Sequence, residues 1–122
     1  MSERLFTVAE AQAMLPELRE RLPRLRDARH ALIESSERVS ARVAADGGGV
    51  AEPAWFAAQQ TLKTELTALA DQGVLLRDPE RGLVDFPAER EGERVFLCWK
   101  LGEETVAHYH AERTGMSGRK RL

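Results

Sequence analysis

The sequence predicts an α+β fold, in which a long antiparallel helical hairpin packs against a three-stranded antiparallel β-meander and a short C-terminal helix. Three observations lead to this fold class. Apolar residues recur at alternating spacings of three and four between positions 15 and 43, which is typical of a long helix. A second helical stripe follows three consecutive glycines at positions 47–49. Beyond position 73, short apolar runs separated by turn residues are typical of strands.

One domain is expected for the whole chain. A length of 122 residues is enough for a hydrophobic core without a structural metal or a disulfide. Within it we place an N-terminal helix at 1–15, the helical hairpin at 16–73, the meander at 74–100, and a short helix with a basic tail at 101–122.

The first helix has a recognisable beginning and end. Thr7 and Glu10 form a capping box, in which each side chain accepts a hydrogen bond from the backbone of the other residue. Pro16 disfavours helical angles at Leu15, so we expect a break there and a second helix from Pro16 to about Ala45. Its apolar seam is interrupted at Arg29 and Ser36 and consists of Leu18, Leu22, Leu25, Leu32, Val39 and Val43.

A shorter helix should pack antiparallel to this one. It begins at Pro53, where proline suits the first helical position, and ends before Gly73. The glycines at 47–49 supply the turn between the two helices. Because the first helix is about ten residues longer, its overhang must meet the strands, solvent or a second copy of the chain.

Two turn segments divide the predicted meander into its three strands. The segment 78–82 contains proline and glycine at turn positions, and Glu91-Gly92 suits a two-residue hairpin loop. This loop predicts one fully apolar face, made by the pairs Ala88–Val95, Phe86–Leu97 and Val84–Trp99. The opposite face then holds the pairs Asp85–Cys98, Pro87–Phe96 and Leu83–Lys100.

Several segments resemble the bacterial family called domain of unknown function 2203. They are GLVDFPA at 82–88, LCWKLGE at 97–103 and Tyr109-His110. The resemblance runs from Phe6-Thr7 to Gly118-Arg119, and a tryptophan is usual in the family where Tyr109 stands here. It implies a small bacterial protein without an established activity, and it supplies no catalytic residues.

Asp85 is the first candidate for chemistry, because a carboxylate in an otherwise apolar strand needs a partner or solvent. It could act as a general base or metal ligand, or accept hydrogen bonds from an arginine or from backbone donors. Asp85, Glu103 and His110 form the best candidate metal set, a histidine-plus-carboxylate combination suited to Zn, Mn or Fe(II). Structural hydrogen bonding is the competing interpretation for all three residues.

The other candidate residues also have simpler structural interpretations. On the expected C-terminal helix, His108 and His110 would point to opposite sides, and they could share one ion only if this segment were extended. Asp85 should raise the pKa of the Cys98 thiol, which favours a small buried residue over a nucleophile. Trp99 and Tyr109 could line a small-ligand pocket near the cluster, or simply belong to the core.

Composition excludes several classes. A single cysteine excludes an internal disulfide, and a net charge of −2 gives no general attraction to nucleic acid or anionic membranes. The tail at 118–121 is too short to favour nucleic-acid binding. A polar N-terminus without a signal-like pattern, and the lack of a long apolar run, favour a cytoplasmic protein.

Two function classes remain. Without a phosphate loop, nucleophile elbow or zinc-protease motif, we favour a self-associating helical scaffold, a homodimer without catalysis of its own. The alternative is a metal- or small-ligand-binding protein, conceivably an enzyme, with a site between the meander and the C-terminal segment.

Overall fold

The computed structural model describes residues 3–46 and 53–122, apart from the side chains at positions 39, 42–46 and 116. The predicted glycine turn at 47–49 and the seam positions Val39 and Val43 lie outside this description. The helices are α1 (Val8–Ala13), α2 (Leu15–Asp46) and α3 (Pro53–Asp71). The strands are β1 (Leu75–Asp78), β2 (Leu83–Arg90), β3 (Glu93–Lys100), β4 (His108–Ala111) and β5 (Lys120–Arg121), with a 3₁₀ turn at Met116–Gly118.

The helical part follows the capping and turn chemistry of its residues. Both hydrogen bonds of the Thr7–Glu10 capping box are present. Helix α1 ends at Ala13, and the break expected at Leu15 lies at Met14, so that α2 begins at Leu15. Gly73 has a φ of 79°, and the amide of Val74 donates to the carbonyl of Leu69, which closes α3 in the manner of a left-handed C-cap. Helix α2 is 32 residues long and α3 is 19.

The seam of α2 is buried at its beginning and changes beyond it. Leu18, Leu22 and Leu25 are at most 1% exposed. Beyond Leu25, the buried side chains described in α2 are those of the small residues Ala28 and Ser35, which directly precede Arg29 and Ser36. Arg29 instead reaches the β1–β2 turn, where its guanidinium lies 3.3 Å from Glu80.

The sheet is a five-stranded antiparallel meander with strand order β1-β2-β3-β4-β5. The predicted β2–β3 register is confirmed at every pair from Leu83–Lys100 to Ala88–Val95. Its apolar face packs against α2 and α3. The core there contains Leu15, Leu18, Leu22, Leu69, Val84, Phe86, Val95, Leu97 and Trp99.

The predicted C-terminal helix is wrong. Residues 108–111 form β4, which pairs with β3, and the basic tail adds β5 beside it. Strand formation instead satisfies the backbone groups of β3 that a three-stranded sheet would have left open. As a consequence, His108 and His110 lie on the same face of the sheet.

Candidate functional site

The polar face of the sheet brings together side chains from three adjacent strands. Asp85 on β2 lies opposite Cys98 on β3, and His110 on β4 reaches across the same face. All three residues are at most 3% exposed. One oxygen, sulfur or nitrogen atom from each lies within 4.8 Å of the other two. This compact group is the strongest candidate for a metal centre within residues 3–46 and 53–122.

His110 is oriented by hydrogen bonds at both ring nitrogens. Its Nδ1 lies 2.8 Å from the carbonyl oxygen of Ala111, and its Nε2 lies 3.0 Å from Oδ2 of Asp85. Because a carbonyl oxygen can only accept, Nδ1 carries a hydrogen, and the bond between Nε2 and the Asp85 carboxylate needs a second hydrogen. Nε2 faces Asp85, and it becomes available to a ligand when that second hydrogen is displaced. A backbone carbonyl fixing the remote nitrogen is the usual support for a metal-binding histidine.

Asp85 is held from a second side by Arg77. The Arg77 Nε donates to Oδ2 of Asp85 at 2.8 Å, which satisfies the requirement that a buried carboxylate be paired. The guanidinium of Arg77 also lies 5.1 Å from the ring centroid of Phe96. Since 45% of the Arg77 side chain is exposed, solvent screens this ion pair. Asp85 thus also acts as a structural hydrogen-bond acceptor, which is the alternative role expected from the sequence.

Cys98 has an environment that favours the thiol. Burial raises its pKa to about 11, and the carboxylates of Asp85 and Glu103 act in the same direction. Arg119, which hydrogen-bonds to the sulfur, opposes them. The predicted direction is confirmed, although burial is a larger cause than Asp85. A thiol in this state is a poor nucleophile, but coordination to a metal ion would remove its proton.

A cavity of about 450 Å³ opens over the cluster. Its floor includes Asp85, Cys98 and His110, and residues 112–115 after β4 form part of its rim. Arg77 and Leu83 complete the lining. The cluster therefore combines buried donor atoms with access from solvent, the arrangement that a ligand site requires.

Glu103 does not join the other two members of the predicted metal set. Its carboxylate accepts from the backbone amide of Lys100 and pairs with Arg119, which places it in a neighbouring cluster. Burial alone would raise the pKa of Glu103, but the bonds from Arg119 and Lys100 outweigh it and the pKa is lowered. His108 lies beside this second cluster, with its Nδ1 3.9 Å from Glu103.

Trp99 and Tyr109 are separated from Asp85 by the sheet itself. Trp99 is fully buried on the apolar face, where its Nε1 donates to the carbonyl of Glu103. Tyr109 packs against the same core and lines a different cavity of about 280 Å³. These two aromatic residues do not line the cavity over Asp85, so the pocket predicted beside the cluster lacks them.

Two contributors were missed by sequence reasoning. The predicted β2–β3 register placed Cys98 beside Asp85, but Cys98 was interpreted as a small buried residue and not as a metal ligand. An arginine was expected as a possible partner of Asp85, but Arg77 was not identified as that arginine, and β1 pairs irregularly with β2 between Leu76 and Asp78.

A family model, DUF2203, described as an uncharacterized conserved protein, matches residues 4–122. The chain belongs to the DUF2203 family. Neither a curated protein nor a solved structure matches it. The recognition made from the residues is confirmed, and the match includes every member of the Asp85–Cys98–His110 cluster. Among the described residues of this DUF2203 chain, no helix has the length and apolar character needed to cross a membrane.

Proposed function

We propose that the protein binds one divalent transition-metal ion, zinc by preference, through Asp85, Cys98 and His110. The convergence of their three buried donor atoms within 4.8 Å of one another carries the proposal. In a tetrahedral zinc site with bonds of ~2.0–2.3 Å, ligand atoms are roughly 3.3–3.8 Å apart. Binding would therefore require the donor atoms to approach one another by at most ~1.5 Å.

The chemistry of the donors favours zinc over the wider choice of metals expected from the sequence. Replacing the Glu103 oxygen by the Cys98 sulfur makes the set softer, which disfavours Mn and favours Zn. The ion would replace the thiol proton and the hydrogen between His110 and Asp85. Arg77 would remain as a hydrogen-bond donor to the Asp85 carboxylate, and Arg119 would leave the sulfur.

Three protein ligands leave one position of a tetrahedral ion open. That position faces the cavity, since the donors form its floor. Catalytic zinc sites share this arrangement, whereas structural sites close all four positions with protein side chains. The proposed function is accordingly a small metal-binding protein that can present its ion to a ligand.

Elemental analysis of protein purified without a histidine tag tests the proposal. Close to one equivalent of zinc per chain is expected after dialysis against metal-free buffer. Asp85→Asn, Cys98→Ser and His110→Gln should each lose it. The matched controls Glu103→Gln and His108→Gln should retain it, since both belong to the neighbouring cluster. Folded wild-type protein that stays empty after exposure to zinc would refute the proposal.

Self-association through the helices is a second proposal, favoured by specific exposed side chains. Phe56 is 55% exposed and Ile33 is 44% exposed, one on each helix of the hairpin. Exposed apolar side chains mark an interface where they form a contiguous patch. Light scattering of wild type and Phe56→Ser tests this homodimer: a dimer mass that falls to the monomer mass in the variant supports it. A monomer mass for wild type at high concentration contradicts it.

A further inference from the structure

The rim of the cavity carries an arginine that the metal cluster does not use. Arg113 lines the cavity, is exposed, and has no carboxylate partner among the residues that the structure describes. Glu112, the acidic residue next to it on the rim, is paired with Arg94 instead. The positive charge of Arg113 is therefore available to whatever enters the cavity.

The balance of charge around the proposed ion favours a negative ligand. The Asp85 carboxylate and the Cys98 thiolate would together neutralise a divalent ion, and His110 would bind it as a neutral ring. Arg77 and Arg113 then remain as positive groups on the lining. Arg77 uses its Nε for Asp85, which leaves the outer N–H groups of its planar guanidinium for another acceptor.

We propose that the cavity binds the carboxylate or phosphoryl group of a small molecule between the metal ion and Arg113. One ligand oxygen occupies the open position of the metal, and another accepts hydrogen bonds from the Arg113 guanidinium. Leu83 supplies an apolar wall for the remainder of the molecule. A volume of about 450 Å³ suits a molecule of this kind. This inference rests on the proposed metal site and names the class of ligand for it.

Calorimetric titration of the zinc-loaded protein tests the ligand class. Benzoate and phenylphosphonate are the two anionic probes, and benzamide is the uncharged control of the same shape as benzoate. We expect at least one anion to bind ~10-fold or more tightly than benzamide, since each charge-assisted hydrogen bond contributes this order of affinity. The tighter of the two anions assigns the site to carboxylate or to phosphoryl ligands.

Variants separate the rim from the metal site. Arg113→Gln should weaken anion binding ~10-fold and leave zinc content unchanged, and Arg113→Lys should have an intermediate effect because it keeps the charge without the planar fork. Arg26→Gln, on the helical layer, should change neither property. The visible spectrum of the cobalt-substituted protein should shift when the anion binds.

The outcomes distinguish the two proposals. Zinc-loaded protein that binds benzamide as well as both anions, or a cobalt spectrum that does not respond to a bound anion, overturns the anion site and leaves the metal site standing. A wild-type chain that takes up no metal overturns the metal site and the anion site together.

Discussion

The two faces of the sheet are made by the same strands but buried by different means. On the apolar face, Val84 and Phe86 are completely covered by the helices. On the polar face, Asp85 is nearly as buried, yet its neighbours are Arg77, Cys98 and His110. Apolar burial stabilises the chain directly, whereas burial of a carboxylate has a cost that paired donors must offset. The first face thus supports the fold, and the second holds the polar side chains of the candidate site in place.

The largest expected effect is on the apolar face. Phe86→Ala should lower the free energy of unfolding by about 3–5 kcal/mol, because it leaves a cavity beside Phe6 and the helical core. Urea unfolding followed by circular dichroism measures the change. Val8→Ala is the control and should stay within about 0.5 kcal/mol, since Val8 is 44% exposed. Equal losses in the two variants would contradict the assignment of the core.

Asp85→Asn should have a smaller effect on stability. Without metal, it should lower the free energy of unfolding by about 2 kcal/mol, because Arg77 and His110 lose their shared carboxylate. The exposure of Arg77 keeps the cost below that of a fully buried pair. Urea unfolding in the presence of a chelator measures it, with Asp71→Asn on the surface as control. A variant as stable as wild type would show that the pairing contributes little.

Metal affinity should depend on pH through Cys98. Since burial holds the thiol pKa at about 11, the thiol is protonated at neutral pH, and a metal ion must displace that proton. Raising the pH reduces this competition, so affinity should rise by at least ~10-fold per pH unit between about pH 6 and 8. Competition with a chromophoric chelator measures the affinity. A constant affinity over this range would argue against thiolate coordination.

The smallest expected effect concerns the neighbouring Glu103 cluster. Despite burial, bonds from Arg119 and Lys100 lower the Glu103 pKa in the folded protein. A lowered carboxyl pKa stabilises the fold above the unfolded value of about 4.5, and this contribution disappears as the pH falls through the folded pKa. Thermal unfolding of Glu103→Gln between neutral pH and pH ~3 should therefore show a shallower loss of stability in acid than wild type. An unchanged slope would contradict this role.

The apolar face could be predicted because its information is local in the chain. The period-two alternation on β2 and β3, with the Glu91-Gly92 loop, determines which side chains face each other. The register and the identity of the helix-facing side chains followed directly. The Asp85–Cys98 neighbourhood came with them, since both residues belong to the same hairpin.

The segment after position 101 could not be predicted in the same way. The short helix expected after Gly102 competed with pairing to the open edge of β3, and the long-range hydrogen bonds of β4 prevailed. This difference moved His108 onto the face of His110 and replaced Glu103 by Cys98 in the cluster. Sequence reasoning could propose Asp85 and His110 together, but it had no means of measuring the distance between them.

By itself, the sequence determined the helical layer, the β2–β3 register and the family, because capping residues, periodicity and turn chemistry act over a few neighbouring positions. The tertiary structure decided that β4 and β5 extend the sheet, and hence that His110 meets Asp85. It also decided that Arg113 lies on the rim of the cavity. These choices depend on contacts between residues far apart in the chain, whose free energies no local pattern records.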